Sequence, residues 1–584
     1  MASILGHPLS GRYDIFLSFL VIEGNEVLSR EQARGQLTAA GADYELENRM
    51  LFGQPIRSFK NGPHTLRDLF SENCSDLDFF VYGDERYTFQ QSYDRASQIG
   101  QLLVHEYDVK KGDRVAISMR NYPEWVFAFM AVTSIGGVAV AMNALWTAEE
   151  MQYGLTDSGS KVLIADQERV ERILPVLDQL DLSLLTVRCE ALSELSPEQS
   201  LEARLAKHPA EMPVVDVQAE DMATILYTSG STGHPKGAVS CHLNILSALK
   251  SWELDQITGL LMSGITPPEP AFQPAGLMAV PLFHATGSHA VFLSSFRPQR
   301  KLVSMYKWDP MLAAELIEVE KISSFVAPAA MTGDLLNTAR KTDRDLSSLQ
   351  TVGGGGAPRA PEQVKNIATA FTRALPNTGW GMTETNAIGC GIGGEDYLAH
   401  PGSSGRCSAV LDIKIVNEAG DSLPTDERGE LLVRGASVIE GYWQRPDANA
   451  STFTDGWLRT GDVAYLDVEG YLYIVDRIKD LVIRGGENIG CAEVEAGLLA
   501  HHSILEASVY AVPDDRLGEE VGATIYAEVP IDEAELVQFL QLHIAKFKIP
   551  RYLVQSDTAL PRIASGKIDK RNIRESAVKS LGLA

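Results

Sequence analysis

YTSGSTGHPKG, residues 227–237, stands directly behind the apolar run MATIL at 222–226 and reads as a strand that opens into a phosphate-holding loop. Its glycines let successive backbone N–H groups turn toward one anion, its hydroxyls add donors, and Lys236 adds positive charge. It is not a Walker A loop. Counted from Gly230, Pro235 precedes the lysine where glycine belongs, and Gly237 follows where a magnesium-binding Ser or Thr belongs. Clusters of Gly, Ser and Thr also form plain surface loops, so the rest of the chain has to decide.

Upstream, periods of two and of 3.6 alternate. An amphipathic helix from Leu66 leads to VYGDERYTF, two short strands about a tight turn, and then to a helix through Ala96 and Leu103. A strand over 114–118, a helix around Trp125 and a strand at Val138 follow as β, α, β, and segments 149–155 and 161–165 repeat the theme. This predicts a layered α/β domain with largely parallel strands. The uncharged run 125–142 is long enough to raise the question of a membrane span. Gly136 and Gly137 split it into a helix-like and a β-branched half, which favours a buried helix–turn–strand.

After the loop, a helix is expected over 244–252, then a proline-rich surface excursion, TPPEPAFQP, at 266–274. MAVPLFHATG at 278–287 reads as a buried strand whose C-terminal end delivers His284, the end of an α/β sheet where ligands gather. LQTVGGGGAP at 349–358 ends a strand in bare backbone against which a flat ligand could lie, although a tight strand-to-helix turn would also explain it. NTGWGMTET at 377–385 offers an indole face, a hydroxyl and a carboxylate able to hold Mg²⁺ between phosphates. From Arg477 onward, a helix over 493–499, strands over 505–512 and 521–529, and a helix over 533–542 make a compact α+β module.

The 584 residues carry a formal charge of −26, which repels nucleic acid and anionic membranes, so any anionic ligand must be held by local donors. Cys74, Cys189, Cys241, Cys390, Cys407 and Cys491 are scattered, with no C-x-x-C pair and no metal-ligand spacing. A reducing cytoplasm fits. The apolar piece 15–22 lacks a cleavage site and does not read as a signal peptide. In the rest of the N-terminal region, a helix over 31–38 and an edge strand over 51–56 are expected.

YTSGSTGHPKG, GGGGAP, GWGMTE, WLRTGD (457–462), DRIKD (476–480) and ASGKIDK (564–570), in this order, resemble the adenylate-forming superfamily of acyl-CoA ligases, luciferases and peptide-synthetase adenylation domains. The resemblance implies an N-terminal extension at 1–64, a large AMP-binding α/β domain at 65–478 and a small mobile α+β domain at 479–584. It implies that Thr228, Ser229, Ser231, Thr232 and Lys236 clasp ATP's phosphates, and that Gly355, Gly356 and Ala357 lie against adenine. Trp380 stands at the stacking position usually held by Tyr, and Thr378 where many relatives carry Gln. Thr383 would meet the α-phosphate, Glu384 would ligate Mg²⁺, and Asp462 and Arg477 would hold the ribose. Lys479 takes the hinge position, Gly486 lines the CoA tunnel, and Lys567 closes over the carboxylate and α-phosphate.

Together these imply an AMP-forming acyl-CoA synthetase using ATP, Mg²⁺ and CoA. No carrier domain follows Lys567, so free CoA is the expected thiol, with a carrier protein, luciferase-like oxygenation or a catalytically silent scaffold as alternatives. Phe283, His284, Ala285, Gly287, Met331 and Ala387 are the candidate acyl-pocket residues. They suggest a hydrophobic acid, aliphatic first and aromatic or sterol-derived second, with no evident cation for a second carboxylate. His284 would position the acyl carboxylate or gate the thiol path.

Overall fold

The structure, a computed structural model, describes residues 28–190, 199–228, 235–264, 269–355, 359–371, 373–485, 487–563 and 566–582. The alternating periods produce two large sheets. In the seven-stranded one, Ser183–Val187, Val162–Asp166, Arg114–Ser118, Val138–Ala141 and Met222–Thr228 run parallel, and Lys236–Cys241 turns back antiparallel at the edge with Gly441–Tyr442 beyond it. In the nine-stranded one, the parallel strands Asp78–Tyr82, Lys301–Ser304, Ala275–Met278, Ser324–Val326, Thr351–Gly354 and Leu375–Trp380 are flanked by antiparallel edges.

The uncharged run forms the helix Pro123–Ser134 and the strand Val138–Ala141, both buried inside the protein. Trp125 stacks on Phe129 at 5.2 Å between ring centroids, and both rings meet the edge of Phe292. A helix apolar on every face is what a core position between layers requires. No helix among the described residues is long and apolar enough to cross a membrane.

A third, five-stranded sheet (Leu411–Val416, Gly429–Gly435, Phe453–Thr454, Trp457–Leu466 and Leu472–Arg477) closes the large body. The last two of these strands form a hairpin, with Asp462 opposite Arg477. The short turn Ile478–Asp480 then leads into a small separate sheet built from Val482–Arg484, Glu487–Ile489, Ile504–Asp514, Gly518–Ala527 and Tyr552–Ser556, covered by Cys491–Leu499 and Glu533–Leu540. This is the expected architecture: a large layered α/β body and a small α+β domain.

Three local expectations change. The edge strand placed at 51–56 is a hairpin, Leu46–Leu51 against Gln54–Phe59, because Phe52 and Gly53 take positive φ and turn the chain where the strand was expected. The helix placed at 244–252 runs from His242 to Ser263, since its apolar residues continue past Trp252. The strand placed before His284 ends at Met278; a turn follows, and His284 leads into a π-helix, Thr286–Phe292. The N-terminal piece 15–22 and residues 266–268 of the proline-rich excursion lie outside the described residues.

Candidate active site

The edge hairpin sets Thr228 opposite Lys236, and the Thr228 hydroxyl donates to the Lys236 carbonyl at 3.3 Å. Ser229, Ser231 and Thr232 lie outside the described residues, as do Gly356, Ala357 and Gly486. Lys236 Nζ stands 5.0 Å from the ring centroid of Tyr442, whose hydroxyl donates to Glu384 Oε1 at 2.6 Å. Burial, and then the adjacent carboxylate, push the Tyr442 phenol up, so it stays a donor. Sequence reasoning missed Tyr442; its place in GYW carried no signal until Ala238 paired with it.

Glu384 sits in the short turn Thr383–Thr385, 7% exposed, with Thr383 half-buried beside it. Among the described residues no cation pairs its carboxylate and no three-ligand cluster exists. Such a site suits Mg²⁺, which binds through one or two carboxylates and completes its shell with phosphates and water.

Asp462 is buried and engaged at both oxygens. Trp380 Nε1 donates to Oδ2 at 2.7 Å and Arg477 Nε lies 3.2 Å from Oδ1. Burial raises the Asp462 pKa, and Arg477 and Trp380 oppose the rise. Trp380 is 9% exposed and its indole rests on Gly389, where a Cβ would come within 2.3 Å of Cε3. The ring is thus a fixed wall, packed in the core, and its nitrogen orients the carboxylate. Along the neighbouring strand, a Cβ at Gly355 would meet nothing within 4 Å, the open backbone a flat ligand needs. The Thr378 hydroxyl donates to the Gly354 carbonyl at 3.4 Å.

Lys567 reaches this centre from the small domain. Burial lowers its pKa to about 8; Arg477 lowers it further and Asp462 pulls it back. Burial likewise lowers His284 to about 4, helped by the positive charge of Lys567. The Lys567 charge thus acts on a neutral imidazole whose Nε2 is buried and has no hydrogen-bond partner among the described residues. Docking brings Gly566 against Met331, and Arg562 pairs with Asp334 at 3.3 Å and with Glu506. Lys479 lies in the turn between the two bodies, its pKa lowered chiefly by burial.

Among the pocket candidates, Phe283 and Met331 are buried and Ala387 is half-buried. Gly287 faces backbone instead: a Cβ there would sit 2.1 Å from the Pro281 carbonyl oxygen, so its glycine serves close packing. The expectation that no cation stands near this wall is corrected by Arg359. It is 8% exposed, it donates to Thr332 Oγ1 at 3.2 Å beside Met331, and its Nε and Nη1 have no partner among the described residues. A second unforeseen group is His289, whose Nε2 donates to Asn386 Oδ1 at 3.1 Å while Asn386 donates to the Ser437 carbonyl. These bonds pin Asn386 and Ala387, both at positive φ, directly behind Glu384.

Residues 70–443 match the AMP-binding enzyme family and residues 493–567 its C-terminal domain. The chain belongs to the AMP-binding enzymes. A long-chain-fatty-acid–CoA ligase, FadD13, of Mycobacterium tuberculosis is 31% identical over 498 residues, 84% of this chain and 93% of its own length. Feruloyl-CoA synthase of Amycolatopsis sp is 31% identical over 536 residues, 91% of this chain and 99% of its own. Among solved structures, o-succinylbenzoate CoA synthetase from Bacillus subtilis, in complex with its acyl-adenylate intermediate, aligns with a TM-score of 0.71 at 30% identity, covering 87% of this chain and 97% of that one. The adenylate-forming resemblance and the two-domain fold expected from the sequence are both borne out.

Proposed function

We propose that this AMP-forming acid–thiol ligase activates a hydrophobic carboxylic acid, a fatty acid first, as its acyl adenylate and passes the acyl group to CoA. ATP, Mg²⁺ and CoA are its small-molecule partners, and a cytoplasmic location goes with them. The observation that carries this reading is the seat of Lys567, a half-buried lysine that makes no salt bridge among the described residues and is set between the Asp462–Arg477 pair and His284.

A carboxylate is a poor electrophile, and attack of its oxygen on the α-phosphorus of ATP turns it into a good one. The rate then rests on positioning and charge neutralisation. Thr228, Lys236 and the hydroxyls of Ser229, Ser231 and Thr232 clasp the phosphates, and Thr383 meets the α-phosphate. Trp380 with Gly355, Gly356 and Ala357 encloses adenine, and Asp462 and Arg477 hold the ribose. Glu384 would hold Mg²⁺, which would supply positive charge for the departing pyrophosphate. Lys567 balances the charge at the reacting oxygens, and neutral His284 donates toward the acyl carboxylate. The small domain, 479–584, then turns against the large one, 65–478, at Lys479, withdrawing Lys567 and bringing Gly486 to line the thiol's path; residues 1–64 stay outside the cycle.

Pyrophosphate exchange into ATP across a panel of carboxylic acids, followed by CoA consumption, tests this. Exchange and CoA consumption with fatty acids support it. Exchange without CoA consumption would point to another acceptor, and ATP binding without exchange to a silent relative. Arg359 favours a second reading: a buried guanidinium with no acid partner among the described residues suits an aromatic or other hydrophobic acid carrying a second anionic group. The panel therefore includes such acids, the class for which 2-succinylbenzoate–CoA ligase of Bacillus subtilis, 30% identical, is named.

A further inference from the structure

Cys390 and Cys407, unlinked by any motif, are brought together by register. The strands Cys390–Gly393 and Arg406–Cys407 pair antiparallel with the two cysteines opposite each other. Ser408 N–H donates to the Gly389 carbonyl at 2.9 Å, which makes Cys390 and Cys407 a non-hydrogen-bonded pair. In such pairs the Cα atoms approach to roughly 4.5 Å with side chains on one face, within the span a disulfide bridges. The thiols interact: Cys407, and then burial, hold the Cys390 thiol up and protonated.

The two sulfurs differ in access and field. Cys390 is buried, whereas Cys407 is half-buried and borders a cavity of about 280 Å³ lined by Arg34, Arg57 and Ser408. Arg34 donates to the Cys407 carbonyl at 2.9 Å, Arg57 lines the same cavity, and the Cys407 thiol donates to the Leu411 carbonyl at 3.4 Å. Among the described residues the Arg34 side chain makes no salt bridge, since Asp255 is held by Arg30 at 2.8 Å. An accessible thiol in a positive field with a resolving thiol opposite is the arrangement of a redox-sensitive pair.

We propose that Cys390 and Cys407 are a peroxide-oxidisable dithiol whose closure weakens nucleotide binding. The Cys407 sulfur attacks a hydroperoxide; the O–O bond breaks, the Cys407 thiol proton passes to the departing oxygen, the corresponding alcohol or water leaves, and a sulfenic acid forms. The Cys390 sulfur then attacks it, the S–O bond breaks, and water departs with the Cys390 proton. Two electrons pass from the two sulfurs to the peroxide, and a cytosolic thiol reverses the reaction by exchange.

The coupling to nucleotide rests on the function proposed above. Cys390 is the strand partner of Trp380, and Gly389 lies under the indole with no slack. A shift of this strand on closure displaces the ring that orients Asp462.

The test treats the full chain with hydrogen peroxide, reads intact mass and disulfide-mapped peptides, and measures ATP affinity before and after reduction. The expected result is loss of two hydrogens, a Cys390–Cys407 linked peptide, an ATP dissociation constant raised at least threefold, and full reversal by dithiothreitol. C407S should retain its mass and its ATP affinity under the same treatment; C390A should stop at a sulfenic acid on Cys407 that a dimedone probe traps. Absence of the linked peptide, or linkage of other cysteines, overturns the dithiol whatever ATP does. A complete disulfide with unchanged ATP affinity overturns the coupling alone, and failure of the reduced protein to bind ATP overturns the nucleotide reading while the mass result stands.

Discussion

Lys567→Ala separates the two half-reactions. The shift of Lys567 from 10.5 to about 8 means that seating the charged lysine in the site costs about 3 kcal/mol in the absence of an anion. The cost is useful only if the charge meets phosphate and carboxylate oxygens that it alone neutralises. Removing it should slow adenylation about a hundredfold, the scale of one lost oxyanion donor, and leave thioester formation from preformed adenylate intact. The pH profile adds a second signature. With the lysine charged below pH 8 and neutral above, kcat/KM for adenylation should fall about tenfold per unit above pH 8, since that ratio reports the free enzyme. Undocking cannot cause this fall: a cation whose pKa is lowered on docking disfavours the docked state at low pH, so docking strengthens as pH rises from 8 toward 10.5. His284, neutral above about 4, is silent in this range. Pyrophosphate exchange and a thioester assay from synthetic adenylate, run from about pH 6.5 to 9.5 to bracket that limb, provide both readouts. Equal loss in both half-reactions, or a limb near pH 8 that persists in Lys567→Ala, would refute the assignment.

Asp462→Asn removes the charge that supports protonated Lys567, so the alkaline limb should move below pH 8 and the KM for ATP rise about tenfold, read from the same exchange assay. Asp476 caps the helix Cys491–Leu499 through Cys491 N–H and Ala492 N–H; Asp476→Ala should cost about 1 kcal/mol and slow adenylation about fivefold while sparing the thioester step. Arg359→Leu should raise the thermal midpoint by removing a buried unpaired charge, leave fatty acids as substrates, and cut kcat/KM at least about tenfold for any doubly anionic acid the enzyme accepts. His289→Ala leaves Asn386 Oδ1 without its donor and should destabilise the fold by about 1–3 kcal/mol in denaturant titration, with a loss of adenylation larger than the loss of ATP affinity.

The architecture was legible because both sheets follow from local periodicity: the strand at Arg114–Ser118, the helix at Pro123–Ser134 and the strand at Val138–Ala141 each announce themselves within a few residues. The motifs named Lys567, Asp462 and Arg477, and the structure brings these three together. What stayed hidden depends on contacts between distant segments. Tyr442 meets Glu384 only because Gly441–Tyr442 joins the edge of the hairpin, and Arg359 reads as an ordinary helix-start residue until its lack of an acid partner is known. Cys390 and Cys407 look scattered for the same reason. The displaced strand before His284 has another origin: VPLF is apolar enough to continue a strand, but Asn121 takes the Val280 carbonyl and the Leu282 N–H and turns the chain.

The balance of forces on the small domain explains how one site can serve two reactions on the proposed cycle. The ion pairs that dock it, Arg562 with Asp334 and Lys341 with Glu528 at 3.5 Å, are partly or largely exposed, and such pairs contribute about 0–1 kcal/mol each. Against them stands the cost of about 3 kcal/mol for burying the Lys567 charge. Docking is therefore close to balanced, and the negative charge beside Lys567 decides it. A triphosphate with a carboxylate offsets the cost and holds the lysine in. Once pyrophosphate has left, the adenylate retains a single negative phosphate, the compensation shrinks, and the domain is released to turn. Removal of charge by the first reaction thus sets up the geometry of the second, without any contact dedicated to signalling that the first is complete.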